Sequence, residues 1–168
     1  MKFELKAIKF YESMSEETNC FQGKLYINGK YVADVKNSGQ GGNTDIYPVS
    51  KVTGEVIAEA EKYLSQQPKK KCDMYDFEYV RTVESEVDDL LADWLQVKED
   101  KKLIKQMDKG ILYGTKYHYQ MIYWKNTTLV AMLKNPIGQA RVKQIIQDLK
   151  AKGETILNTN IPADIMGN

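Results

Sequence analysis

Two stretches carry residues whose types and spacing could do chemistry. The first is ESEVDDLLADW, with carboxylates at Glu84, Glu86, Asp88, Asp89 and Asp93. On a helix, Glu84–Asp88 and Asp89–Asp93 are like-charged i,i+4 pairs, each weakening an isolated helix by roughly 0.2–0.5 kcal/mol. Early carboxylates recover part of that at the positive helix N-terminus; Asp93, Glu99 and Asp100 come too late to do so. A segment that keeps such self-repulsion is either a solvated face or a surface for a cationic partner. Glu86, Asp89 and Asp93 share a helical side and could hold a hard cation, but no metal site is assigned. The second stretch is KNSGQGGNTDIYP, with Gly39, Gly41 and Gly42 within four positions. Successive amides in mixed-handed conformations can form an anion-binding nest. Asn37, Gly39, Gly41, Gly42, Asn43, Thr44 and Tyr47 are therefore the candidates for a nucleotide or other phosphate ligand. The segment has neither the Gly-Lys-Ser/Thr ending of a P-loop nor the GxGxxG spacing of a dinucleotide fold. A turn with unusual backbone angles linking the hairpin to the next helix is the favoured alternative.

Catalytic machinery is sparse. His118 is the one histidine, and a Cys-His or Ser-His pair would have to use it. Its neighbours Tyr117 and Tyr119 place it in a strand-like run. Cys20 and Cys72 form no CxxC and no metal spacing and read as buried free thiols. Lys69–Lys71 would lower the pKa of Cys72 only if that thiol were exposed. No HExxH, His/Cys cluster or GxSxG occurs. No catalytic residue and no cofactor are assigned, and a non-enzymatic protein is expected.

Charge narrows the partners. Residues 73–100 hold ten acidic and two basic side chains, a net −8 within a chain whose total is +1. The segments on either side are basic. Of 24 basic residues only Arg81 and Arg141 are arginine. Arginine is the residue suited to bidentate base and phosphate recognition, so sequence-specific DNA binding is disfavoured. A lysine face touching phosphates loosely remains open, and Tyr113, Tyr117, Tyr119 and Tyr123 could stack single-stranded bases. A sheet face packed under helices is the favoured reading of those tyrosines. No apolar run approaches the roughly 18 residues of a membrane span. MKFELKAIKFYES lacks the continuous apolar middle of a signal peptide, and a cytoplasmic location is expected.

The elements that must position these residues follow from periodicity. With 42% hydrophobic and 28% charged residues the chain has the balance of a globular protein, and its 168 residues fit one domain. Phe3, Leu5, Ile8 and Phe10 predict a strand with a phase shift near Ala7, a bulge. CFQGKLYI, Asn28-Gly29 and KYVADVK predict a hairpin on a type I′ turn. Val52, Val56, Ile57, Ala60, Tyr63 and Leu64 recur at helical spacing, with Ser50 or Thr53 as cap. Val83, Val87, Leu90, Leu91, Trp94 and Leu95 form the apolar stripe of a second helix. Leu103, Ile104 and Met107 extend it or start another, and Gly110 is a C-terminal stop. ILYGTKYHYQMIYWKN reads as one strand. TTLVAML reads as its partner, or else as a buried helical turn. Ile137, Arg141, Val142, Ile145, Ile146 and Leu149 mark a last helix ending at Gly153. TILNTNI reads as a final strand. The order β-β-β-α-α-β-β-α-β predicts a single α+β domain over 1–168 with mostly antiparallel pairing.

Phe10 to Pro48, FYESMSEETNCFQGKLYINGKYVADVKNSGQGGNTDIYP, together with Ile156 to Asn160, ILNTN, resembles small uncharacterised proteins of bacteriophages and their bacterial hosts. The resemblance covers the first 50 and last 15 residues and carries no catalytic residue or cofactor. It implies an accessory protein of a virus or mobile element that binds a host component, including components of defence systems. With the acidic segment, the expected partner is a protein with a basic surface.

Overall fold

A computed structural model describes residues 1–72 and 76–167. The protein is α+β with antiparallel sheets. It divides into two compact units, Met1–Leu95 and Gln96–Asn168.

The first unit is built on a four-stranded antiparallel sheet in sequential order. Its strands are β1 (Phe3–Phe10), β2 (Phe21–Ile27), β3 (Lys30–Asn37) and β4 (Asp45–Pro48). The register of β1 against β2 shifts between Lys6 and Lys9, and Ala7 takes φ 51°, the bulge expected from the phase change. Asn28 (φ 50°) and Gly29 (φ 79°) make the positive-φ turn between β2 and β3. Strand β4 was not anticipated, because DIYP is too short to show a period of two. Alternation sends Phe21, Leu25, Ile27 and Val35 to one face, where they are buried. Helix α1 (Lys51–Ser65) lies in the same core through Ala60 and Leu64. Its start is the anticipated one: the Ser50 hydroxyl accepts from the Thr53 amide, and the Thr53 hydroxyl accepts from the Ser50 amide. The two-residue strands β5 (Lys70–Lys71) and β6 (Glu78–Tyr79) pair with each other.

Helix α2 (Val83–Met107) closes that core with Val83, Val87 and Leu91, each essentially inaccessible. Thr82 and Ser85 cap it reciprocally, each side-chain oxygen accepting from the other's amide. Leu103, Ile104 and Met107 belong to this same helix rather than to a separate one.

The second unit departs more from the sequence reading. ILYGTKYHYQMIYWKN is a hairpin, not one strand: β7 (Gly110–Gly114) pairs with β8 (Tyr119–Tyr123). Gly114 at φ 118° turns the chain, and the Thr115 amide donates to the His118 carbonyl. TTLVAML is the helical alternative, α3 (Leu129–Met132), with Thr128 accepting from the Ala131 amide. Helix α4 (Pro136–Ala151) starts on an Asn135 cap, and α5 (Ala163–Met166) ends the described chain. TILNTNI contributes only a bridge between Ile156 and Tyr113, not a strand. Gly110 opens β7 instead of stopping a helix; a Cβ there would collide with the Ile122 carbonyl oxygen. Ile111, Leu129, Val142 and Ile146 form the core of this unit. Buried Asn158 ties it together, accepting from the Leu112 amide at 2.6 Å and donating to the Gly110 carbonyl at 3.0 Å.

Candidate cleft between the glycine loop and the acidic helix

The glycine segment and the acidic helix, 40 residues apart in sequence, meet in the first unit. Asn37, the last residue of β3, is buried and organises the loop. Its Oδ1 accepts from the Thr18 hydroxyl and the Gly39 amide, both at 2.8 Å. Its Nδ2 donates to the Gly42 carbonyl at 2.9 Å and to the Thr44 hydroxyl oxygen at 3.3 Å. Every polar atom of this amide therefore has a partner, as burial requires. Gly39 (φ 86°) and Gly41 (φ 83°) hold left-handed conformations that side chains rarely adopt. Gly39 is also enclosed: a Cβ would strike the Met14 carbonyl oxygen. Its own carbonyl accepts from the amides of Glu16, Glu17 and Thr18 at 2.9, 3.0 and 3.3 Å. The polar segment SMSEETN is thus fastened to the glycine loop.

Buried Thr44 joins the loop to α2. Its amide donates to Glu84 at 2.9 Å, and its hydroxyl donates to Asp88 at 2.7 Å. Asn37, Thr44 and Asp88 form a directed relay in which the carboxylate is the final acceptor. Partial burial pushes the Asp88 carboxyl above its ordinary pKa; the Thr44 hydrogen bond opposes this, and the charges of Glu84 and Asp89 reinforce it. Together the loop and helix bound a cleft of about 400 Å³, with Phe21 and Leu91 as its apolar wall and Glu84 and Asp88 as its charges.

The remaining sequence candidates are dispersed. Glu86 accepts from Arg81 through Nε at 2.9 Å and Nη2 at 2.7 Å, in a contact largely withdrawn from solvent. Asp89 forms an ion pair with Lys70. Asp93 is exposed. Asn43 and Gly42 line the cleft, while Tyr47 does not. Tyr47 stands on the outer side of the sheet, its ring under the Lys36 ammonium at 5.0 Å and its hydroxyl donating to Asp45. The net −8 segment is thus partly neutralised within the chain: Asp76, Glu86, Asp89, Glu99 and Asp100 all have cationic partners. Asp73, which adds to that charge, lies outside the described residues.

Thr18, Phe21 and Leu91 line the cleft without being sequence candidates, and Lys70 and Arg81 neutralise Asp89 and Glu86 away from it. The signal for Thr18 was weak, a threonine in a polar loop. Arg81 and Lys70 were legible only as basic residues flanking an acidic run. His118 lies exposed in the β7–β8 turn rather than in a strand. Cys20 is buried, and Cys72 is half-buried rather than fully so. Among the described residues no group of three or more His, Cys, Asp or Glu is arranged to hold a metal, and no helix is long and apolar enough to cross a membrane. Comparison with known proteins finds no matching family model, no matching curated protein and no matching solved structure.

Proposed function

We propose that the protein is a non-enzymatic binding protein that engages a basic surface of a protein partner, with a lysine or arginine of that partner entering the cleft at Glu84 and Asp88. The observation that carries this reading is the pair of carboxylates, Glu84 and Asp88, converging on Thr44 at the cleft. A long basic side chain brings the matching charge, a cationic head that can donate to both carboxylates. Its charge would also offset the repulsion from Glu84 and Asp89, which adds to burial in holding the Asp88 pKa up. The resemblance of Phe10–Pro48 and Ile156–Asn160 to bacteriophage and host proteins makes a host component, including a defence component, the partner class.

A nucleotide or phosphate module is the second reading, and it has less support. The amides of Gly39, Gly41 and Thr44, which a nest would aim at an anion, already donate to Asn37, Thr18 and Glu84. Two carboxylates in the same cleft would repel phosphate.

The test is affinity capture from bacterial lysate with the wild-type chain and with Glu84→Gln plus Asp88→Asn, which keep the hydrogen-bond acceptors and remove both charges. Captured partners should be basic proteins, should be lost from the variant, and should release as salt rises. Retention of the same proteins by the variant would remove the cleft as the docking site. Stabilisation by nucleotides or inorganic phosphate in a thermal-shift screen, with no such shift from basic peptides, would favour the second reading.

A further inference from the structure

The face of the four-stranded sheet that points away from Leu25, Val35 and the helices has a different chemistry. In an antiparallel sheet, cross-strand partners share a face. Lys9, Gln22 and Lys36 are aligned across three strands. In the next row Lys6 stands directly opposite Lys24, and Asp34 and Tyr47 continue it. A third row brings Tyr26 against Tyr31, with ring centroids 5.5 Å apart. Directly opposed lysines are unfavourable in a sheet, and here each finds an aromatic face. Lys6 lies 4.5 Å over the Tyr26 ring and Lys24 4.7 Å over the Tyr31 ring, repeating the Lys36–Tyr47 arrangement. Lys9, Lys24, Lys36 and Tyr47 border an open cleft of about 520 Å³ on this face. Three carboxylates share the face, each already engaged: Asp34 accepts from the Tyr31 hydroxyl at 2.6 Å, Asp45 opposite Lys36 accepts from the Tyr47 hydroxyl at 3.0 Å, and Glu4 opposite Tyr26 pairs with Lys2 at 3.3 Å and Lys6 at 3.6 Å.

We propose that this open sheet face binds single-stranded nucleic acid, with Lys6, Lys9, Lys24 and Lys36 against phosphates and Tyr26, Tyr31 and Tyr47 against bases. Alternating cations and rings match the alternating phosphates and bases of a single strand, a pattern an acidic peptide lacks. A flat sheet face offers no element to enter a duplex major groove. Lysines without arginine contact a phosphate backbone as point charges, so binding would be indifferent to sequence. The acidic cleft plays no part in this surface.

Fluorescence anisotropy with labelled oligo-dT and oligo-U of about 20 nucleotides tests it, from about 20 to 200 mM salt. Binding is expected at low salt, with a log–log salt slope of about −2 to −3 for roughly four phosphate contacts. Lys24→Glu plus Lys36→Glu should weaken binding about tenfold or more. Tyr47→Ala should weaken it about fivefold while leaving the salt slope unchanged. Lys134→Glu plus Lys143→Glu, the same charge change on exposed residues of the second unit, should leave affinity intact. If the double reversal lowers the melting temperature, Lys9→Gln plus Lys24→Gln replaces it. Absence of binding at the lowest salt overturns the proposal, as does wild-type affinity in the charge variant. Wild-type affinity in Tyr47→Ala together with equal binding of inorganic polyphosphate overturns it too, since that is ion exchange without base contact.

Discussion

Asp88 carries the sharpest residue-scale expectation. Its carboxyl is pushed above the ordinary value, so between the unfolded and folded pKa values the native state holds more protons than the unfolded state. Stability contributed at this position is therefore greatest in acid and falls as pH rises through that window. Asp88→Asn keeps an acceptor for the Thr44 hydroxyl and removes the charge. Its melting temperature at pH 7 should equal or exceed that of the wild type, and the difference should shrink as pH falls below the carboxyl's range; thermal melts across pH check this. A lower melting temperature for the variant at pH 7 would mean that the charge stabilises the fold. Asn37→Ala should do the opposite. It strands the Gly39 amide and the Gly42 carbonyl and removes the anchor of the loop, costing about 2–3 kcal/mol in denaturant unfolding. Neither role was legible from sequence. The residue types in KNSGQGGNTDIYP announced a constrained loop. That a side chain inside the loop, rather than a bound anion, occupies its amides depends on contacts with Thr18 and Glu84 that no local pattern encodes.

At the scale of elements, local chemistry was a good guide where it was strong. Asn28-Gly29 fixed the hairpin because both residues tolerate positive φ, and Ser50 with Thr53 marked the start of α1. It misled where alternation ran through a turn. Tyr113, Thr115, Tyr117, Tyr119 and Tyr123 keep a period of two, but Gly114 and the Thr115–His118 turn fold that run back on itself. The tyrosines therefore do not make one platform: Tyr117 is almost fully exposed, while the Tyr119 hydroxyl donates to Gln106 at 2.6 Å. Gly39 supplies the prediction here. Gly39→Ala must place a side chain at φ 86° against the Met14 backbone. A loss above about 1 kcal/mol is expected from the backbone term alone. Gly42→Ala, at a position with open space around it, should be close to neutral. Urea titration of both variants separates strain from simple loss of loop flexibility.

For the whole molecule, the α+β class and antiparallel pairing followed from the mixture of periodicities, whereas the division into two units did not. Composition marks a boundary when a linker separates units, and here the boundary at Leu95–Gln96 falls inside helix α2. The cores nevertheless draw on separate residues, one centred on Leu25, Val35, Leu64 and Val87 and the other on Ile111, Val142 and Ile146. Val87→Ala and Ile146→Ala should each lose about 1–4 kcal/mol locally. Hydrogen exchange should show the loss concentrated among amides of the substituted core's own unit. Equal weakening across both units in each variant would mean that they unfold as one.

The Gly39 carbonyl collects three donors, so the amides of Glu16, Glu17 and Thr18 share one fate. A single peptide rotation at Gly39 would expose all three to solvent together. Their deuterium uptake should follow one common rate, slower than that of their surroundings, and a slip in the length of either loop would abolish that shared protection at a stroke.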